Sequence, residues 1–290
     1  MAYLATGKTM TEAWVAALDH LHAHGGEEFD LVVAMVDPIP SGASPKIMRL
    51  VDGALAAQGY DPVATVANTI FPVGLAASSP DRATLYRRYR ALLPRLHRLP
   101  GNRKGIYFER LIAYPLQSDP ARANQIETII GDLSAQLARR ALRQGPLGSV
   151  YEGQVFAPGK DRVPQGFPCM SSLSFQLDGT RLRLTATYRN QYYIRRALGN
   201  FLGLAHLQRF VCDAVGLDQG PLTVHAFHAQ VDLGKRATAA LLESCHAASA
   251  NLRPRQDDGA AAPQGRGQRN GRRSPCREGA GMVGVTETML

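Results

Sequence analysis

Cys169 and Arg189 stand twenty residues apart, on either side of a hairpin pattern. Ser174–Leu177 and Arg181–Thr187 alternate apolar and polar residues around Asp178-Gly179, a tight-turn signal. Leu182, Leu184 and Ala186 share one face, and Arg181, Arg183, Thr185, Thr187 and Arg189 share the other. A two-residue Asp178-Gly179 loop sets Cys169 opposite Tyr188 and diagonal to Arg189, whereas a three-residue Asp178–Thr180 loop sets it directly opposite Arg189. Either register makes a thiol and a guanidinium neighbours. A nearby cation favours the thiolate, which is the nucleophile, and the same arginine could hold a phosphate over the sulfur. The plain alternative is a small buried cysteine beside a solvated arginine.

Other polar residues carry less information by type alone. Asn200 follows Gly199 at the start of FLGLAHLQRFVCDAV, where an N-cap is the simplest role. Arg139 and Arg140 close an amphipathic stretch and complement a helix C-terminus without any ligand. His225 and His228 fit an ordinary strand end, and Cys212 falls on the apolar side of a long helix. The four cysteines are too few and too scattered for a disulfide framework or a zinc site, so no metal is expected.

The elements that must position these residues alternate helix and strand, which implies an α/β or α+β domain around a mixed sheet. Helical spacing marks Thr11–His24, Ile47–Gln58 and Asn124–Arg140, and Asp30–Val36 is a buried strand. Val63–Phe71 is strand or helix by periodicity. Leu85–Leu99 is a basic amphipathic helix interrupted by Pro94. The domain is expected over residues 1–250. Residues 251–290, rich in Gly, Arg and Pro, lack the apolar surface to offset ordering entropy and are expected to be disordered.

Lys plus Arg number 33 against 24 Asp plus Glu, a net charge of +9 in 290 residues. Arginine dominance suits phosphate-bearing partners. No apolar run approaches the roughly 20 residues of a membrane span, and the opening residues lack a leader pattern, so a cytoplasmic protein without membrane contact is expected. The interleaved aromatics and cations of Tyr86–Lys104, with the Gly/Arg tail, also permit a nucleic-acid-binding reading.

The stretch from Phe167 to Gln230 resembles the catalytic half of the thymidylate synthase family. Pro168-Cys169 is similar to its Pro-Cys-His nucleophile motif, Phe175-Gln176 to the Phe-Gln of the following strand, Arg189 to its Gln-Arg-Ser arginine, and Asn200 to the asparagine opening its long helix. The separations of twenty residues from Cys169 to Arg189 and eleven from Arg189 to Asn200 agree with the family. His228 falls at its Asp-x-His-x-Tyr motif, Asn124–Ile130 resembles its Asp-Gln-Ile helix, Gly105–Arg110 its Tyr-Gly segment and Arg139-Arg140 its Ser-Arg-Arg.

The resemblance implies a single domain, a homodimer packed sheet to sheet, and a methyl or hydroxymethyl transferase of nucleotide biosynthesis. The Cys169 thiolate would add to C6 of a pyrimidine nucleotide and activate C5 towards a one-carbon unit. Arg189 would bind phosphate, with Arg139 and Arg140 reaching from the other subunit; Asn200 would read a uracil edge, His228 the sugar, and Gln176 would belong to the substrate-binding set. Nucleotide-holding positions match better than folate-handling ones, and the departures are several. Met170 follows the nucleophile in place of His, Tyr188 and Asn190 flank Arg189 in place of Gln and Ser, Tyr192 replaces the pterin-binding Asp, and Arg196 and Leu198 replace Gly and Pro. Gln230 replaces a sugar-contacting Tyr, and the early Glu has no counterpart near Val66-Ala67-Asn68. Methylenetetrahydrofolate is therefore the implied donor with its contacts unmatched, and a nucleotide-binding scaffold that has lost catalysis is the competing expectation.

Overall fold

Period-two burial builds one sheet. A computed structural model describes residues 1–115, 120–162 and 167–250; the tail expected to be disordered lies outside them. The strands are β1 (Tyr3–Gly7), β2 (Glu27–Met35), β3 (Tyr151–Gln154), β4 (Met170–Asp178), β5 (Arg181–Tyr188), β6 (Gln191–Tyr192) and β7 (Asp218–Gln230). They run in the order β1-β2-β7-β5-β4-β3, with β6 beside β7. The sheet is mixed: β1 is parallel to β2 and β5 to β7, while β2–β7, β3–β4 and β4–β5 are antiparallel. Leu31, Val33, Met35, Leu173, Phe175, Leu182, Leu184, Ala186, Val224 and Ala226 are buried on one face. On the other face Thr6, Leu4, Arg183 and Phe227 are exposed and Thr185, Thr187, Ser172, Ser174 and Gln176 are half-buried.

The helices are α1 (Met10–Ala23), α2 (Pro45–Ala56), α3 (Val63–Ile70), α4 (Val73–Ala77), α5 (Arg82–Leu96), α6 (Tyr107–Ile112), α7 (Pro120–Ala123), α8 (Gln125–Ala141), α9 (Leu198–Val215) and α10 (Lys235–Ala250). Trp14, Leu18 and Leu21 of α1 are fully buried, each contributing about 2–3 kcal/mol by leaving water. Val63–Ile70 proves helical, and α5 continues through Pro94 for two more residues before ending. Proline costs a helix one amide donor and crowds the carbonyl four residues back, and this helix ends within the same turn.

Close packing seats α9. A Cβ on Gly199 would lie 2.5 Å from Val66 Cβ, and one on Gly203 would lie 2.6 Å from the Ala67 carbonyl oxygen, so α3 and α9 meet nearly backbone to backbone. On the sheet side, the buried Gln208 amide donates to the carbonyls of Leu182 (2.7 Å) and Gly220 (3.0 Å). No helix among the described residues is long and apolar enough to cross a membrane.

The most buried ion pair ties α6 to the segment before β4. Arg110, 1% exposed, meets both carboxylate oxygens of Asp161, 2% exposed, at 2.9 Å and also donates to the Val155 and Lys104 carbonyls. Burial by itself would raise the Asp161 carboxyl, but hydrogen bonds from Arg110 and the Ala157 amide outweigh it and hold the pKa below the ordinary value. Removing either partner strands the other charge. Asp161→Asn or Arg110→Met is expected to destabilise the protein by about 3–5 kcal/mol in urea unfolding. Because the folded pKa is depressed, the pair's contribution is present above the unfolded carboxyl value of about 4 and is lost as the pH falls through the folded one.

Candidate functional site

The β4–β5 hairpin turns at Gly179-Thr180, with Gly179 at φ +60°, and pairs Asp178 with Arg181. Neither expected register holds. Continued without interruption, this pairing would carry Cys169 past Arg189 to Asn190. The ladder instead slips between Ser172 and Met170: Ser172 pairs with Thr187, and Met170 with Tyr188. Ser171 is thus the extra residue of a β-bulge, and its carbonyl accepts from both the Val155 and Phe156 amides at 3.0 Å. The bulge sets Cys169 against Arg189, whose amide donates to the Cys169 carbonyl at 3.0 Å.

Cys169 is half-buried at the base of this arrangement. Arg189 lays its guanidinium 3.9 Å from the centroid of the Phe167 ring, donates from Nη2 to the Phe167 carbonyl (3.3 Å), and keeps Nε buried without a partner. Burial pushes the Cys169 thiol above its ordinary range, and Arg189, Arg196 and Arg195 pull it back only in part. The expected juxtaposition is therefore present, but desolvation outweighs the cations and the resting sulfur is a thiol at neutral pH. Cys212 and Cys245, buried away from this cluster, are pushed up to about 12 and about 11.

The other two arginines that oppose burial at the thiol, Arg195 and Arg196, come from the turn before α9. This turn, Tyr193–Ala197, is clamped by Tyr193 and Trp14, which exchange side-chain-to-carbonyl hydrogen bonds (3.2 and 3.3 Å) and stack at 5.9 Å. Asp232 accepts from the Ile194 amide at 2.9 Å and pairs with Arg195 at 2.8 Å. Arg195 also lies over the Tyr192 ring at 4.1 Å, while Arg196 is exposed.

Asn200 is the third residue of α9, whose N-cap position is Ala197, so it is not the cap. It is 3% exposed, and its Oδ1 has no hydrogen-bond partner. A buried orphan acceptor of this kind suits a ligand donor. His228 joins the site through Asn190: Nδ1 contacts Asn190 Oδ1 at 2.8 Å, Nε2 lies 3.2 Å from Glu27, and the ring stacks on Phe29. Gln230 donates to the same Asn190 oxygen.

Three expected residues are not brought to this cluster within one chain. Gln176 lies seven residues along β4 from Cys169, roughly 20 Å at strand rise, and donates to Ser174. Arg139 and Arg140 close α8, where Arg140 donates to the Gly179 carbonyl at the far end of the hairpin. Val66 does pack against α9 at Gly199, one residue from Asn200, but as an aliphatic group; Ala67 meets α9 at Gly203 through its backbone, and Asn68 is exposed. Among the described residues no group of three His, Cys, Asp or Glu side chains is placed to hold a metal.

Residue types alone missed three further groups. Tyr107 lies beside the sulfur: burial and the Cys169 charge raise its pKa, with Arg196 and the Met170 and Cys169 amides opposing. Tyr188 is fully buried with its hydroxyl unpartnered, and Gln191, 2% exposed, has both amide atoms unpartnered. The flanking of Arg189 by Tyr188 and the match of Gly105–Arg110 to a Tyr-Gly segment pointed to two of them, and nothing pointed to Gln191.

Alkylation of Cys169 by iodoacetamide is expected to be slow at neutral pH and to rise on the alkaline side. Arg189→Gln moves that rise to higher pH by removing the first of the opposing cations; mass spectrometry of the Cys169 peptide across pH measures both. No protein-family model and no curated protein matches this chain.

Proposed function

We propose that this protein is a thymidylate-synthase-type transferase that adds a one-carbon unit at C5 of a uracil-type nucleotide. The observation that carries the reading is the bulge-set opposition of Cys169 and Arg189, with the orphaned Asn200 acceptor in the first turn of α9. Arg189 has donors to spare for a phosphate after its single carbonyl contact. An incoming pyrimidine N–H would satisfy the Asn200 oxygen. The thiolate would attack C6, making C5 nucleophilic towards the one-carbon unit; loss of the C5 proton to solvent base would then expel the thiolate and restore the ring double bond. His228, held by Asn190 and Glu27, is assigned to the sugar.

Methylenetetrahydrofolate is the donor this chemistry suggests. The residues present fit it poorly: Tyr192 packs under Arg195 rather than offering a carboxylate for a pterin. We further propose a homodimer through the open sheet face, where Leu4 (58%) and Phe227 (44%) are the exposed apolar groups on β1 and β7. Arg139 and Arg140, remote from their own chain's Cys169, would then serve the partner.

A second reading, a nucleotide-binding scaffold without catalysis, draws on the burial-raised thiol and on the aliphatic Val66 and Ala67 beside α9. A nucleic-acid-binding surface on α5 has less support. Arg82 pairs with Glu127, Arg88 with the Ser78 carbonyl, and Arg90 with the Ile112 carbonyl, so several of its cations serve the fold.

Tritium release from 5-³H-UMP and 5-³H-dUMP tests the transferase. Release that falls to background in Cys169→Ser is the expected result; nucleotide binding without release is the scaffold's. Asn200→Asp is expected to shift the base preference from uracil to cytosine, because it exchanges an amide for a carboxylate at the pyrimidine edge. Sedimentation is expected to show twice the single-chain mass, with Phe227→Glu shifting it to one chain.

A further inference from the structure

Between Arg82 and Phe108 the chain carries seven arginines and Lys104, and no Asp or Glu. The fold sorts these residues between the two sides of α5. Leu85, Tyr86 and Tyr89 are buried. Tyr86 donates to Glu127, and Tyr89 meets the Phe108 ring edge-on at 4.8 Å. Arg82, Arg88 and Arg90 are tied to Glu127 and to the Ser78 and Ile112 carbonyls. Four more face water: Arg87, Arg95, Arg98 and Arg103 are exposed, and none of them forms an ion pair among the described residues.

Two leucines lie among these cations. Leu92 is 40% exposed and Leu99 56%. Helical spacing sets Leu92 between Arg88 and Arg95, and Leu99 follows Arg98 in the turn after α5. A lone surface leucine is ordinary, but a pair within an acid-free arginine stretch offers charge and apolar area to one partner. Three kinds of partner use basic helices. A groove-bearing protein needs the apolar face, which α5 has already buried in the core. Single-stranded nucleic acid needs exposed aromatic rings on which bases stack, and both tyrosines of α5 are buried. An anionic bilayer needs cations at headgroup level with aliphatic groups beside them, which is the composition of this side.

We propose that the outer side of α5 and the turn after it form a contact surface for an anionic lipid bilayer. Arg87, Arg95, Arg98 and Arg103 meet lipid phosphates and carboxylates through their guanidinium forks. Leu92 and Leu99 enter the acyl boundary, and the arginine stems lie along it. The expectation of no membrane contact rested on the lack of a spanning run and of a leader pattern; neither bears on a helix that lies in the interface plane. The inference rests on no part of the catalytic reading.

The test is flotation of the full chain with vesicles of phosphatidylcholine, alone or mixed with phosphatidylserine. The expected result is binding to the mixed vesicles that falls as salt rises, with phosphatidylcholine alone left unbound. Arg95→Gln with Arg98→Gln is expected to weaken binding about tenfold or more. Leu92→Ser with Leu99→Ser, which leaves the charge unchanged, is expected to weaken it about fivefold or more. All four side chains are exposed, so Tm is expected to match wild type. Equal binding to both vesicle types, or none, overturns the proposal. So does undiminished binding by the leucine variant, which would mark charge adhesion alone, or by the arginine variant, which would place the contact elsewhere in the chain. Binding to a single-stranded oligonucleotide that the arginine substitutions abolish, with no vesicle binding, would overturn it in favour of nucleic acid.

Discussion

One extra residue in β4 governs the site. Without the bulge at Ser171 the hairpin register would pass Cys169 beyond Arg189, and the thiol would face Asn190 across the ladder. The bulge persists because its carbonyl is doubly occupied by the Val155 and Phe156 amides. That segment is fixed in turn: Arg110 donates to the Val155 carbonyl and grips Asp161, which accepts from the Ala157 amide. Gly105, at φ +111°, is needed there because a Cβ would lie 2.6 Å from Arg110 Nε. The chain of contacts from Asp161 through Arg110 and Val155 to Ser171 therefore positions Cys169.

The electrostatics of the cluster are a contest between burial and charge. Three arginines act electrostatically on the Cys169 thiol, yet two are held by other contacts: Arg189 by Phe167 and Arg195 by Asp232 and Tyr192. Desolvation of the half-buried thiol is the larger effect, so the resting sulfur stays protonated. Among the described residues Arg189 Nε, Tyr188 Oη, Asn200 Oδ1 and both amide atoms of Gln191 are buried without a hydrogen-bond partner. Each is costly to leave unpaired in the folded protein.

The sheet has two unlike faces, and this separates two kinds of residue. Side chains on the helix-covered face make the core, with α9 held down by Gln208 and drawn onto α3 by Gly199 and Gly203. The open face carries a row of short polar groups, Ser172 bonded to Thr187 at 2.8 Å and Ser174 bonded to Glu152. Gln176 belongs to that row, which is why a residue in the same strand as the nucleophile motif lies far from the thiol.

Local periodicity determined the helices at α1, α2 and α8, the buried strand β2 and the inward face of β5, because 3.6- and two-residue spacing is written in side-chain type. It also pointed to a cysteine and an arginine at neighbouring positions across the hairpin, though not to the register that sets them opposite each other. Tertiary structure decided the rest. Val63–Ile70 became a helix because its Val66 and Ala67 face the glycines of α9, a contact invisible in either segment alone. The register came from a bulge held by residues fifteen positions upstream, where turn chemistry alone suggested other pairings. Whether the thiol is charged depends on how much water the fold removes from it, and solvent exclusion is a property of the assembled structure.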